Sequence, residues 1–104
     1  MTGYDFHPEA ESDIDEIWEY IAADNVTAAD RIIADFHQGL EGLVPFPHRG
    51  HRRPDLTGRS SRFIRVRDYL IAYAPDRTPL WVIAIMHGHR SPRVMAAILR
   101  GREQ

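Results

Sequence analysis

From Ala10 onward the apolar residues Ala10, Ile14, Ile17, Trp18 and Ile21 recur at helical spacing, with acidic residues filling the intervening positions. That pattern predicts an amphipathic helix with one apolar stripe. Pro8 suits its first position, where a missing N–H is no loss. Upstream, Tyr4 to His7 (YDFH) reads as a short strand. The helix is expected to break near Asn25. A second helix follows, with Thr27 as its expected cap and Asp30 three residues on as a capping-box partner. Its stripe is Ala29, Ile32, Ile33, Phe36, Leu40 and Leu43, and Pro45 and Pro47 end it. Two such helices joined by a short loop predict an antiparallel hairpin. Trp18, Phe36 and Trp81 are expected in the core.

Residues 45–60 have no periodicity and are rich in Pro, Gly and Arg, so they read as a functional or mobile loop. Beyond them the period changes to two. In RFIRV, Ile64 and Val66 face one way and Phe63, Arg65 and Arg67 the other, and Arg67-Asp68 reads as a hairpin turn. YLIAYA places Tyr69, Ile71 and Tyr73 on one face. Pro75 to Pro79 (PDRTP) is a second turn. Leu80 to Met86 is apolar on both faces, as a central strand would be. Ser91 and Pro92 suit the cap and first position of a short C-terminal helix or tail. The class predicted is α+β. It has an N-terminal strand, an antiparallel helical hairpin packed on a small, mainly antiparallel sheet, and that last helix or tail. Both helical stripes are expected on one sheet face. The opposite face, with Phe63, Arg65 and Arg67, is where function is expected.

Composition narrows the classes. A chain of 104 residues suits a single domain over 1–104. The absence of cysteine excludes a disulfide scaffold, thiolate metal sites and cysteine nucleophiles, and fits a reducing cytoplasm. No secretory signal is expected in residues 1–20, and no apolar run is long enough to span a membrane. The net charge of −2 conceals a division. Residues 1–48 carry eleven acids and one arginine, while residues 49–104 carry twelve arginines and four acids. A basic half on a small domain is a footprint for an anionic partner, either nucleic acid or an acidic protein segment.

The stretch IAIMHGHRSPR (Ile83 to Arg93) holds the candidate chemistry. His87 and His89 share a strand face, yet a metal site needs a third ligand, for which only His51 offers itself. No metal or other cofactor is expected. Metal-free RNA cleavage needs a base, an acid and cations for the phosphate, and Arg65, Arg67, His87, His89 and Arg90 would supply them if their strands adjoin. The six carboxylates between Glu9 and Glu19 read as a solvated face. Arg59, Arg62, Arg65 and Arg67 fall within nine residues beside a two-tyrosine strand, a composition common at interface cores.

In order, HPEAESDIDEIWEYIAADNVTAADRII, LVPFPHRG, RFIRVRDYLIAYAPD and WVIAIMHGHRSP resemble the toxins of bacterial type II toxin–antitoxin modules in the RelE/ParE superfamily, in its ParE branch. The resemblance covers almost the whole chain and implies the fold read above. It implies a partner antitoxin whose disordered, acidic and apolar tail folds around the toxin in a hetero-oligomer. It also implies DNA gyrase as target, poisoned by binding rather than by catalysis. RelE-like relatives instead cleave messenger RNA on the ribosome, using lysines, arginines and a tyrosine near the C-terminus. This chain has no lysine and no tyrosine after Tyr73. A non-toxic interaction domain is the third reading. The antitoxin is expected on Arg59, Arg62, Phe63, Arg65, Arg67, Tyr69 and Tyr73, and the target on Arg90, Arg93, Arg100 and Arg102.

Overall fold

Residues 3–103 are described by a computed structural model. Strand β1 (Tyr4–Phe6) leads straight into α1 (Pro8–Ala22). His7 caps this helix, its Nδ1 accepting the Glu9 N–H at 3.0 Å, and Pro8 opens the first turn. Helix α2 (Val26–Leu43) returns antiparallel. Its cap is Asn25 rather than Thr27: the Asn25 side chain, on extended backbone, accepts the Ala28 N–H at 3.0 Å. Thr27 is already inside the helix. Asparagine suits this place because its short amide reaches an otherwise unpaired amide of the first turn.

The sheet is completed by β2 (Arg62–Val66), β3 (Tyr69–Ala74) and β4 (Leu80–His87), in the order β1-β4-β3-β2. β1 runs parallel to β4, and the other pairings are antiparallel. β4 is central and buried on both faces, as its continuous apolar run requires. The β2–β3 hairpin closes through Arg67 and Asp68, with Arg67 at φ 53°. Helix α3 (Pro92–Arg102) begins at Ser91, whose hydroxyl accepts the Val94 N–H at 3.2 Å.

The two faces of the sheet carry separate apolar clusters. On one, Phe36, Leu40 and Leu43 of α2 and Ala10 of α1 meet Ile71, Tyr73, Val82 and Ile85. Both helical stripes therefore share one face. The other face is not open. Met95 and Leu99 of α3, with Leu56 from the loop, cover Phe63, Ala72, Ala84 and Met86. Burying each Leu, Ile, Met or Phe of these clusters contributes about 1.5–3 kcal/mol. Two expectations are corrected here. Phe63 is a core residue, because α3 folds back over the face it occupies. Trp18 is only half-buried. Its Nε1 donates to Asp30 Oδ1 at 2.9 Å, tying α1 to α2 along the outside of the hairpin.

Loop 45–60 is also more ordered than its composition implies. It contains a short 3₁₀ turn (Pro47–Arg49), and His51 pairs with Phe63 through two backbone hydrogen bonds, at 2.9 and 2.8 Å. Tyr73 anchors it from beneath. The Tyr73 hydroxyl donates to the Pro47 carbonyl at 2.7 Å and accepts the Gly50 N–H at 2.9 Å. A side chain at Gly50 would come within 2.4 Å of that hydroxyl, which accounts for glycine there.

Tyr73 is thus a buried structural pin and not a partner contact. Its pKa is raised from the ordinary 10.0, mainly by burial, while the Gly50 hydrogen bond and Arg62 pull it down. A phenol with a raised folded-state pKa stabilises the fold fully below pH 10, and the contribution fades as pH climbs past that value. Tyr73→Phe is expected to lower stability by about 1–3 kcal/mol, because two loop groups lose their partner. It is also expected to lessen the loss of stability above pH 10. Urea denaturation at pH 7 and pH 10.5 checks both; equal stability of variant and parent at pH 7 would contradict the assignment.

Candidate partner-binding surface

Two loops meet at one end of the sheet, the β2–β3 turn and the link from β4 to α3. Gly88 N–H donates to the Asp68 carbonyl at 2.7 Å, which holds the loops together. The Arg65 guanidinium lies beside Gly88, about 3.6 Å from where a side chain there would begin. Its Nε donates to the Arg67 carbonyl at 3.2 Å. His87 and His89 stack with ring centroids 4.9 Å apart, and the His89 N–H donates to His87 Nδ1 at 3.2 Å. Tyr69 stands edge-on to His87 at 5.2 Å and to Phe36 at 5.4 Å. Burial raises the Tyr69 pKa, and Asp68 and Tyr20 add to the effect.

Beside them a cleft of about 430 Å³ opens between α1 and β4, lined by Glu16, Ile17, Tyr20, Tyr69, His87 and Arg90 among others. Tyr20 is 82% exposed there, the most exposed large apolar residue among those described. The cleft is open, its α1 wall mixes Ile17 and Tyr20 with the carboxylates Asp13 and Glu16, and Arg90 makes one end basic. Such a shape accommodates a polypeptide better than an enclosed small molecule.

The structure sorts the candidate residues. Arg65, Arg90 and Arg93 are exposed, and among the described residues none joins an ion pair. Arg59 and Arg100 are exposed too, but at the other end of α3, where they line a separate cleft. Arg62 is half-buried and donates to the Gly50 carbonyl at 2.9 Å. Arg67 leaves the strand face expected for it. Because it sits in the turn with a left-handed backbone, its guanidinium swings to the helical side and pairs with Asp35 of α2.

Arg102 is corrected as well. Its side chain is only 12% exposed, and it grips Asp13 of α1 through Nη1 at 2.6 Å and Nη2 at 3.0 Å. The hydrogen bonds to Asp13 push its pKa up against the opposing effect of burial. It is a structural cation, unavailable to a target. Asp13 was missed by sequence reasoning, which placed it among solvated carboxylates. The only signal was its position one residue before Ile14, on the flank of the apolar stripe.

Among the described residues no three His, Cys, Asp or Glu side chains converge as a metal site requires. Arg65, His87, His89 and Arg90 do gather at one end of the sheet, while Arg67 turns away. No helix among the described residues is long and apolar enough to cross a membrane.

A helical hairpin thus lies on a mixed sheet, with an open cleft at one end beside arginines that join no ion pair among the described residues. The family model for the ParE toxin of the type II toxin–antitoxin system parDE matches residues 4–92, and the chain belongs to that family. The match ends at Pro92, where α3 begins. No curated protein matches the chain significantly.

Proposed function

We propose that this toxin acts in the cytoplasm by binding DNA gyrase and trapping its cleaved complex with DNA, with no metal, cofactor or catalytic residue of its own. The observation that carries this reading is the set of free cations on α3 and its approach, Arg90, Arg93 and Arg100, which no acid of the described chain neutralises. A ParD-like antitoxin with an acidic, apolar tail neutralises the toxin in a hetero-oligomer. Its contacts lie on the helical hairpin and the nearby sheet edge, with Arg62, Arg65, Arg67 and Tyr69 in reach, while Arg59 stands apart in the cleft beside α3. Such a tail loses conformational entropy on ordering and offsets it with a long wrapped contact.

The convergence of Arg65, His87, His89 and Arg90 favours one competing reading, a ribosome-dependent endoribonuclease. The missing lysine and the missing tyrosine after Tyr73 weigh against it. Two parallel assays separate the readings: gyrase with supercoiled plasmid, and a translation reaction with transcript mapping. Linearised plasmid after protein removal is the expected result. Arg90→Glu with Arg93→Glu is expected to reduce poisoning by about tenfold or more, since charge reversal in a binding patch costs at least 1–2 kcal/mol. Transcripts cut at the ribosomal A site, with gyrase untouched, would overturn the gyrase reading. Inactivity in both assays with tight antitoxin binding would leave an interaction domain.

A further inference from the structure

Half of β4 has no strand on its outer side. Gly88 N–H bonds to the Asp68 carbonyl at 2.7 Å, so residues 68 and 88 form a hydrogen-bonded pair of the β3–β4 ladder. By alternation Leu70 and Met86, then Ala72 and Ala84, exchange the next bonds. The backbone groups of Ile85 and His87 must therefore point away from β3. On that side β1 reaches only from Leu80 to Val82. The exposed ladder is then taken up group by group. The Val82 carbonyl accepts the His7 N–H at 2.8 Å, the Ile83 carbonyl accepts Arg102 Nη1 at 3.2 Å, and the Ile85 N–H donates to Asp13 Oδ2 at 3.0 Å. The Ile85 carbonyl and the His87 N–H come next on the same outer side, and both residues line the cleft beside α1.

This pair selects a strand direction. In a parallel ladder one incoming residue donates to the carbonyl before its opposite number and accepts from the N–H after it. The Ile85 carbonyl and the His87 N–H flank Met86 in that way. An antiparallel strand needs both groups of a single residue. At Ile85 the N–H is held by Asp13, and at His87 the carbonyl already accepts the Arg90 N–H at 3.1 Å. The open position thus fits a parallel strand continuing the line of β1.

The walls define its chemistry. An incoming residue meets Ile17 and Tyr20 of α1 and Tyr69 of β3, which suit an apolar or aromatic side chain. Of the α1 carboxylates there, Asp13 is held by Arg102 and the Ile85 N–H, and Glu16 disfavours an acid at this position. Beyond the end of β4 stand Arg90 and Arg65, neither in an ion pair among the described residues. A parallel strand carries its downstream residues toward them, so carboxylates should follow the apolar residue. We infer that a segment of the antitoxin tail, apolar and then acidic, adds to the outer edge of β4 as a short parallel strand at Ile85 and His87. This rests on the antitoxin reading above and specifies where and how that partner binds.

The test uses the full chain with the antitoxin encoded beside its gene, co-expressed and purified as a complex. Amide hydrogen exchange of His87 is compared in free and bound toxin. Slowing by about tenfold or more is expected on forming a strand hydrogen bond. The His87 N–H contributes nothing to the β3 ladder, so His87→Pro removes the edge donor at a position that tolerates proline. His87→Ala removes the ring and keeps the donor. The proline variant is expected to bind the antitoxin about tenfold more weakly than the alanine variant, from one lost hydrogen bond and the steric block of the ring. Equal binding by the two, or an unchanged His87 exchange rate in a stoichiometric complex, would overturn the strand addition while leaving the antitoxin reading intact. Failure of the parent chain to form any complex would overturn both. If the proline variant does not fold, the exchange measurement on the parent decides alone.

Discussion

Asp13→Ala is expected to destabilise the toxin by about 3 kcal/mol, the lower end of the range for breaking a buried ion pair. Asp13 and Arg102 are 15% and 12% exposed, so water reaches the pair only partly. The substitution takes the acceptor from Arg102 Nη2 and from the Ile85 N–H, and removes the shorter of the two bonds made by Arg102 Nη1. Arg102 would keep its bond to the Ile83 carbonyl and a long contact to the exposed Glu9 carboxylate at 4.0 Å, but lose its close, shielded carboxylate. Urea denaturation at pH 7 measures the effect. Arg102→Leu on the Asp13→Ala background should recover part of the loss, because an unpaired buried cation is worse than none. A midpoint unchanged by Asp13→Ala would show that the pair is solvated and contributes little.

Phe63→Ala is expected to cost about 3–5 kcal/mol, the usual range for emptying an aromatic site in a packed core. Phe63 is 1% exposed and belongs to the cluster that includes Leu56, Leu70, Met95 and Leu99. These come from the loop, β3 and α3, so the residual cavity has walls that cannot collapse together easily. Thermal unfolding gives the first readout, and antitoxin affinity of whatever remains folded gives the second. Lowered stability with near-normal affinity is the expected combination. Weaker antitoxin binding at unchanged stability would return Phe63 to the surface role that its strand position suggests.

That contrast shows what periodicity conveys. Ile14, Ile17, Ile32, Phe36 and Leu40 announce their helices and their shared face because each helix must bury one stripe. Ser91 announces α3 through its side-chain chemistry. The alternation in β2 places Phe63 opposite Ile64, but alternation is silent about what covers each face. The cover comes from α3, a helix distant in sequence whose own stripe, Met95 and Leu99, is short. Arg67 was misplaced for a local reason. A strand pattern extended one residue too far ignores that a tight turn needs a left-handed residue. The open edge at Ile85 and His87 was illegible because it depends on the length of β1, and three residues of pairing leave no hydrophobic signature. Asp13 and Arg102 lie 89 residues apart, so no local pattern joins them.

That separation also bears on the order in which the molecule is completed. A ribosome makes α1 well before Arg102, so Asp13 waits for nearly the entire chain before its partner exists. Until then Phe63, Ala84 and Met86 lack the cover of Met95 and Leu99. The nascent toxin therefore passes through an interval with one sheet face bare and the β4 edge unlatched. The closing of a single guanidinium on a single carboxylate marks the end of that interval.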